Sequence, residues 1–142
     1  MIPWRLIVAG SLAALLVVAG SDWAISKARL NDVAIESWLD PPRVVADGKS
    51  ATVITLRVTE HGQPRAGDLV QLWIDTGSGL VIPDWVITDA EGRAQTVYTP
   101  NPASVYDPHD EAKIYAMDIN IGRLIEVGKR HLVVVPLATP ES

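Results

Sequence analysis

Thr52-Val53-Ile54-Thr55-Leu56-Arg57-Val58-Thr59 alternates without a break. Ile54, Leu56 and Val58 fall on one side of an extended chain; Val53, Thr55, Arg57 and Thr59 fall on the other. A period of two with one aliphatic and one mixed face specifies an antiparallel strand half buried in a core. The same signal recurs on both sides of it. Upstream, Val44-Val45 leads into a turn at Ala46-Asp47-Gly48-Lys49. Downstream, His61-Gly62-Gln63-Pro64 is a turn and LVQLWI at 69–74 alternates again. A glycine-rich turn at 75–79 precedes a short strand at 85–88, which the Asp89-Ala90-Glu91-Gly92 turn closes. Strands follow at 94–99 and 112–119, separated by a loop at 100–110 that holds three prolines. Gly122 breaks the chain, and strands at 124–127 and 132–135 complete it before Pro136 and a polar tail. Short strands at this spacing specify an all-β antiparallel sandwich.

Ahead of the strands stands LIVAGSLAALLVVAGS at 6–21, 16 residues without charge or proline, closed by Arg5 and Asp22. At 1.5 Å per residue it gives about 24 Å of helix, short of a ~30 Å hydrocarbon core. Trp4 and Trp23 extend it: on a helix they stand about 28 Å apart, the spacing of indoles at the two headgroup levels, and Arg5 can snorkel outward. The rival reading is a cleaved signal peptide, with Val18-Ala19-Gly20 as the small residues a peptidase wants. A retained anchor is the expectation, and the absence of cysteine rules out a lipoprotein anchor. Ala9 and Ala13, and Gly10 and Ala14, are spaced four apart, a small-residue face through which membrane helices approach closely. The expected division is a transmembrane helix over 1–25, a juxtamembrane tether with loose helical period over 26–42 ending at Asp40-Pro41-Pro42, a sandwich over 43–137 and a tail over 138–142.

The 142 residues carry a net charge of −5. No basic stripe exists, which argues against nucleic-acid partners. With no cysteine, disulfide scaffolds, thiolate zinc sites and thiol nucleophiles are excluded. Phenylalanine is also absent, so any aromatic core must come from Trp and Tyr; Trp73 and Trp85 are expected inside, and Trp38 is the candidate for an exposed contact residue.

Three turns, in order, resemble the bacterial immunoglobulin-like domain of group 1, as in invasin and intimin repeats. Val45-Ala46-Asp47-Gly48-Lys49-Ser50-Ala51 is similar to the opening ADG turn of that family. Gly62-Gln63-Pro64-Arg65-Ala66-Gly67, followed by Val70, is similar to its G-x-P-x-x-G-x-x-V turn. Thr88-Asp89-Ala90-Glu91-Gly92-Arg93-Ala94 is similar to its TDxxGxA hairpin. The fold-defining residues on this reading are Asp47, Gly48, Gly62, Pro64, Gly67, Asp89 and Gly92. The resemblance implies an immunoglobulin-like β-sandwich working outside the cytoplasm, here behind one N-terminal transmembrane helix. The segments at 100–110 and 120–130 are longer than the family pattern needs.

Two stretches suggest chemistry. Trp73-Ile74-Asp75-Thr76-Gly77-Ser78 matches the Asp-Thr-Gly-Ser signature of aspartic proteases, with Ile121-Gly122-Arg123 as a distant second element; one such motif requires a homodimer, so that two Asp75 carboxylates share a proton. The turn after the third strand accounts for the same residues. Asp107, His109, Asp110 and Glu111 have ligand types for a divalent cation, and equally those of a solvated acidic loop. His61 and His131 stand alone. No catalytic, cofactor or metal residue is assigned.

The expectation is therefore a non-enzymatic, single-span accessory or scaffolding subunit of a larger complex, respiratory or photosynthetic for instance. It would sit in the bacterial inner membrane with its domain on the periplasmic side. Its partners would be lipid and integral membrane proteins, met through Ala9, Gly10, Ala13 and Ala14, with Trp4, Arg5 and Trp23 at the interfaces. The alternative is an anchored adhesion or ligand-binding module; the remote one is the dimeric protease.

Overall fold

Alternation decides the core. The computed structural model describes residues 3–106, 108, 110–122, 124 and 127–140, and in it Ile54, Leu56 and Val58 all point inward. They belong to β3 (Thr52–Glu60), in a sheet ordered β1 (Val33–Asp40), β3, β8 (Arg93–Pro100), β6 (Gly79–Ile82), with β4 (Gln63–Pro64) beside the end of β3. The second sheet is ordered β2 (Val44–Val45), β10 (Lys129–Ala138), β9 (Glu111–Asp118), β5 (Leu69–Thr76), β7 (Trp85–Ile87). Every pairing is antiparallel except β2 with β10. The inner faces meet through Val70 and Leu72, Ala112, Ile114 and Ala116, and Val133, Val135 and Leu137. With no phenylalanine in the chain, Tyr98 fills the centre, and its hydroxyl donates to the Ser78 carbonyl at 2.8 Å.

Both lateral edges of the sandwich are closed by the same device. β1 pairs with β3 in the first sheet, passes Pro41-Pro42, and continues as β2 against β10 in the second. β6 pairs with β8, passes Pro83, and continues as β7 against β5. A strand that changes sheets must leave both ladders briefly, and proline has no N–H to orphan there. Its carbonyl still needs a donor. The buried Thr52 hydroxyl donates to Pro41 O at 2.6 Å, and the buried Thr96 hydroxyl donates to Pro83 O at 2.6 Å.

Several sequence expectations are corrected. Residues 33–40, assigned to a helical tether, form β1. Val33 and Ile35 point into the core, Ala34, Glu36 and Trp38 point out, and eight register pairs with β3 outweigh a weak helical period. β6 was not foreseen. Pro136 lies within β10, opposite Glu111, because an extended chain tolerates proline at an outward position. Leu124 and Val127 belong to no strand, and Ile125 and Glu126 lie outside the described residues. Trp73 is only half-buried and Trp85 is exposed; both have the outward parity of Leu69 and Gln71.

The turns carry specific hydrogen bonds. Asp47 accepts from the Ser50 and Lys49 N–H groups and the Ser50 hydroxyl at 2.6–2.8 Å, which hold its carboxyl at about 2. Asp89 accepts from Glu91 N and Arg93 N at 3.0 and 2.8 Å. Gly92, at φ 74°, packs so close to the Val58 carbonyl that a Cβ would collide with it.

If the threonine hydroxyls satisfy the two sheet changes, Thr52→Val and Thr96→Val should each destabilise by about 1–3 kcal/mol, because a buried carbonyl loses its donor at nearly constant shape. Serine at either position should restore most of the loss. Denaturant unfolding of the detergent-solubilised chain measures both; an unchanged midpoint in the valine variants would refute the role.

Candidate functional site: the joint between helix and sandwich

α1 runs from Trp4 to Arg29, 26 residues, or about 39 Å. It is long and apolar enough to cross a membrane. The helix extends beyond the apolar run, and Lys27 Nζ sits 5.2 Å from the centre of the Trp23 ring. Only residues 30–32 separate the end of α1 from β1. Those residues are fastened down. Leu30 packs against the core, and its carbonyl accepts from Lys129 Nζ at 2.9 Å. Asp32 O accepts from His61 N at 3.0 Å. Ser26, on the last turns of the helix, is buried.

Arg29 makes the main connection. Its Nε and Nη2 donate to the two oxygens of Glu60, at the end of β3, at 2.7 Å each. A two-pronged guanidinium–carboxylate pair fixes direction as well as distance. Glu60 also accepts from Arg65 Nη1 at 2.6 Å. Arg65 then reaches inward: Nε donates to Asp68 and lies 3.6 Å from Asp118 Oδ2, and Nη2 donates to Asn120 O at 3.2 Å. Asp118 ends β9 and is fully buried. The loop is held in turn by Thr88, whose hydroxyl accepts from Asp68 N at 2.9 Å and donates to Arg65 O at 2.6 Å.

Two guanidiniums here face three carboxylates. The Arg29 hydrogen bonds, reinforced by Arg65 against the cost of burial, hold Glu60 at about 2. Asp118 moves the other way, pushed up to about 7. Burial is the main cause, and a hydrogen bond with Asp68 and that group's charge add to it, while the Asn120 N–H and Arg65 pull against it. Asp118 Oδ1 accepts from Asn120 N at 2.9 Å, but Oδ2 is buried with no donor. A proton on Oδ2 would turn it into a donor toward Asp68, which is the physical sense of the upward shift at Asp118.

No family model and no curated protein matches this chain. Solved structures do. A C-terminal 282-residue fragment of intimin, in complex with the intimin-binding domain of the translocated intimin receptor, superposes with a TM-score of 0.55 at 19% identity, covering 73% of this chain and 33% of that one. The fold is that of a bacterial immunoglobulin-like domain. The D00–D0 domains of intimin (TM-score 0.53, 17% identity, 70% of this chain and 45% of that) and its D0–D1 domains (0.52, 19%, 75% and 49%) agree. The chain thus spans a third to a half of each of these structures.

Within the immunoglobulin-like domain, the sequence-predicted residues divide between two ends. Gly62, Pro64, Gly67, Asp89 and Gly92 lie at the helix end, and the 62–67 turn carries Arg65 into the joint. Asp47 and Gly48 lie at the far end, with the exposed Asp75, which receives only the Thr76 hydroxyl at 3.3 Å among the described contacts. Of the acidic loop, Glu111 pairs with Lys113 at 3.2 Å, and Asp107 and His109 lie outside the described residues, as does Arg123. His131 is not isolated: its Nε2 lies 2.9 Å from Ser37 Oγ, tying β10 to β1, and burial lowers its pKa. Trp4, Arg5, Ala9, Gly10, Ala13 and Ala14 are exposed along α1. Sequence reading missed Arg29, Glu60, Arg65, Asp68 and Asp118. One signal was present: Asp118 has the parity of Ala112, Ile114 and Ala116, so alternation alone buries it.

The joint sets a pH dependence. Glu60 contributes stability above its ordinary range that is lost as pH falls toward 2. Asp118 binds a proton in the folded state that the unfolded chain releases near 3.8, so stability falls as pH rises from there to about 7. Asp118→Asn keeps an acceptor for Asn120 and a donor for Asp68 without the buried charge. It should flatten the profile between about pH 4 and about pH 7. Unfolding midpoints across that range test this; an unchanged slope in the variant would exclude Asp118 as the titrating group.

Proposed function

We propose that this chain is a non-enzymatic accessory subunit of a larger bacterial membrane assembly, anchored by α1 in the inner membrane, with its immunoglobulin-like domain bracing partners on the extracytoplasmic side. The observation that carries the reading is the Arg29–Glu60 clasp over a connection of three residues. A module that searches for ligands needs a compliant linker; here the direction of the domain follows the direction of the helix. Two open surfaces suit integral membrane partners. Along α1, nothing among the described residues lies within 4 Å of a Cβ placed on Gly10, so the side of the helix that carries Ala9, Gly10 and Ala13 is open to another helix. On the sandwich, Leu80, Ile82 and Ile87 project from the β6–β7 edge beside Val97, an apolar strip of the kind that marks protein contacts.

A second reading, an anchored adhesion or ligand-binding module, is favoured by the loop at 101–106. It lies at the end remote from the helix and carries Val105 and Tyr106, the latter 95% exposed. Intimin, of like fold, has been seen with a receptor domain bound.

Native electrophoresis of gently solubilised membranes, with mass spectrometry of the band containing this chain, separates the two. The subunit reading expects a large assembly that Gly10→Leu or Ile82→Asp dissociates and Tyr106→Ala leaves intact. Migration as a small free species overturns it and directs attention to Tyr106.

A further inference from the structure

The helix is not the domain's only apolar surface at bilayer depth. Leu124 stands between Ile121 and Val127, both buried in the sandwich, yet is itself 65% exposed. Its backbone N–H donates to Asp22 Oδ2 at 2.9 Å, which fixes it against α1 immediately above the uncharged run. Below that hydrogen bond, Leu124 faces Ser11, Ala14, Leu15, Val18 and Ala19 across an open groove of about 670 Å³. All of these but Ser11 are apolar, and all five helix residues belong to the run that crosses the membrane. Ala19 lies about 6 Å along the axis below Trp23, the residue at the headgroup level.

We infer that Leu124 is a second membrane contact, inserted beside the helix into the outer part of the hydrocarbon layer, and that the groove between them is occupied by the acyl chain of a bilayer lipid. This inference rests on the reading of α1 as a membrane anchor. Three facts choose the occupant. The wall of the groove is the spanning surface itself, so what fills it is what surrounds α1 at that depth. The Arg29–Glu60 clasp and the Lys129–Leu30 bond hold the sandwich against the end of the helix. The rim is an exposed leucine rather than a polar group, which water would leave unfavourably placed and lipid would not. The domain is thereby seated on the bilayer surface at two points, which fixes its tilt as well as its height.

The chain has no cysteine, so single cysteines report single sites. Leu124→Cys, Leu15→Cys and Gln63→Cys variants of the full chain, each carrying the same environment-sensitive fluorophore, are reconstituted in phosphatidylcholine vesicles with and without doxyl-labelled phosphatidylcholine. Gln63 is exposed on β4, at the helix end of the sandwich, and controls for insertion driven by the dye. The expected result is blue-shifted emission at 124 with at least half the quenching seen at Leu15, and none at Gln63. Quenching at Leu15 with 124 behaving like Gln63 overturns the inference and leaves the anchor standing. No quenching at Leu15 overturns the anchor reading itself. As a measurement free of dye, Leu124→Asp should lower hydrogen-exchange protection at 121–122 and 127–128 in vesicles while leaving protection of the core strands unchanged; equal protection at those residues in the variant and the unsubstituted chain also overturns it.

Discussion

Arg65 is the group on which the rest of the molecule turns. A guanidinium has donors in a fixed plane and no acceptor, so burying one commits its surroundings to supply oxygens in that plane. Here they come from four places in the chain: Glu60 on β3, Asp68 ahead of β5, Asp118 at the end of β9, and Asn120 beyond it. One side chain thereby joins both sheets and, through Glu60, the helix. Removing it would strand Asp68 and Asp118 together and leave Glu60 to Arg29 alone, which is why a buried ion network of this kind is hard to dismantle piecemeal. The excess of one carboxylate shows at Asp118, whose buried carboxyl is pushed up to about 7.

How much of this was legible depends on the range of the interaction. The strands built on alternation, β3, β5, β8 and β9, follow from side-chain parity within eight or nine residues, and so does the family likeness, since Asp-Gly and Glu-Gly turns act locally. β1 was misread because residues 24–34 carry a weak helical period, and what makes 33–40 a strand is β3, some twenty residues away. β6 lay between the glycine-rich turn and the strand at 85–88 and was missed for the same reason: its partner is β8. The joint was least legible. Arg29, Glu60 and Arg65 are ordinary surface residues by type, and nothing in one sequence says that they converge. Asp118 alone carried a local signal, its parity with Ala112, Ile114 and Ala116, and that signal was passed over.

The two sheet-changing strands solve a problem that every open sandwich has. Exposed ladders invite pairing with other chains. Here the β6–β7 edge is divided into pieces of four and three residues by Pro83, and the β1–β2 edge is interrupted by Pro41-Pro42. The β6–β7 flank therefore offers no long, continuous ladder edge, and on the other flank the proline pair limits the edge to the eight residues of β1. Thr52 and Thr96 make the interruption tolerable by supplying the carbonyl partners that the ladders no longer provide.

The direct passage from helix to β1 also determines how the domain bears load. A pull between the membrane and the far end of the sandwich acts on Val33 along the axis of β1. The hydrogen bonds joining β1 to β3 lie across that axis. They are therefore strained together, in shear, over eight residue pairs, instead of opening one after another like a zip. The first strand of the domain is at once its edge and its tendon.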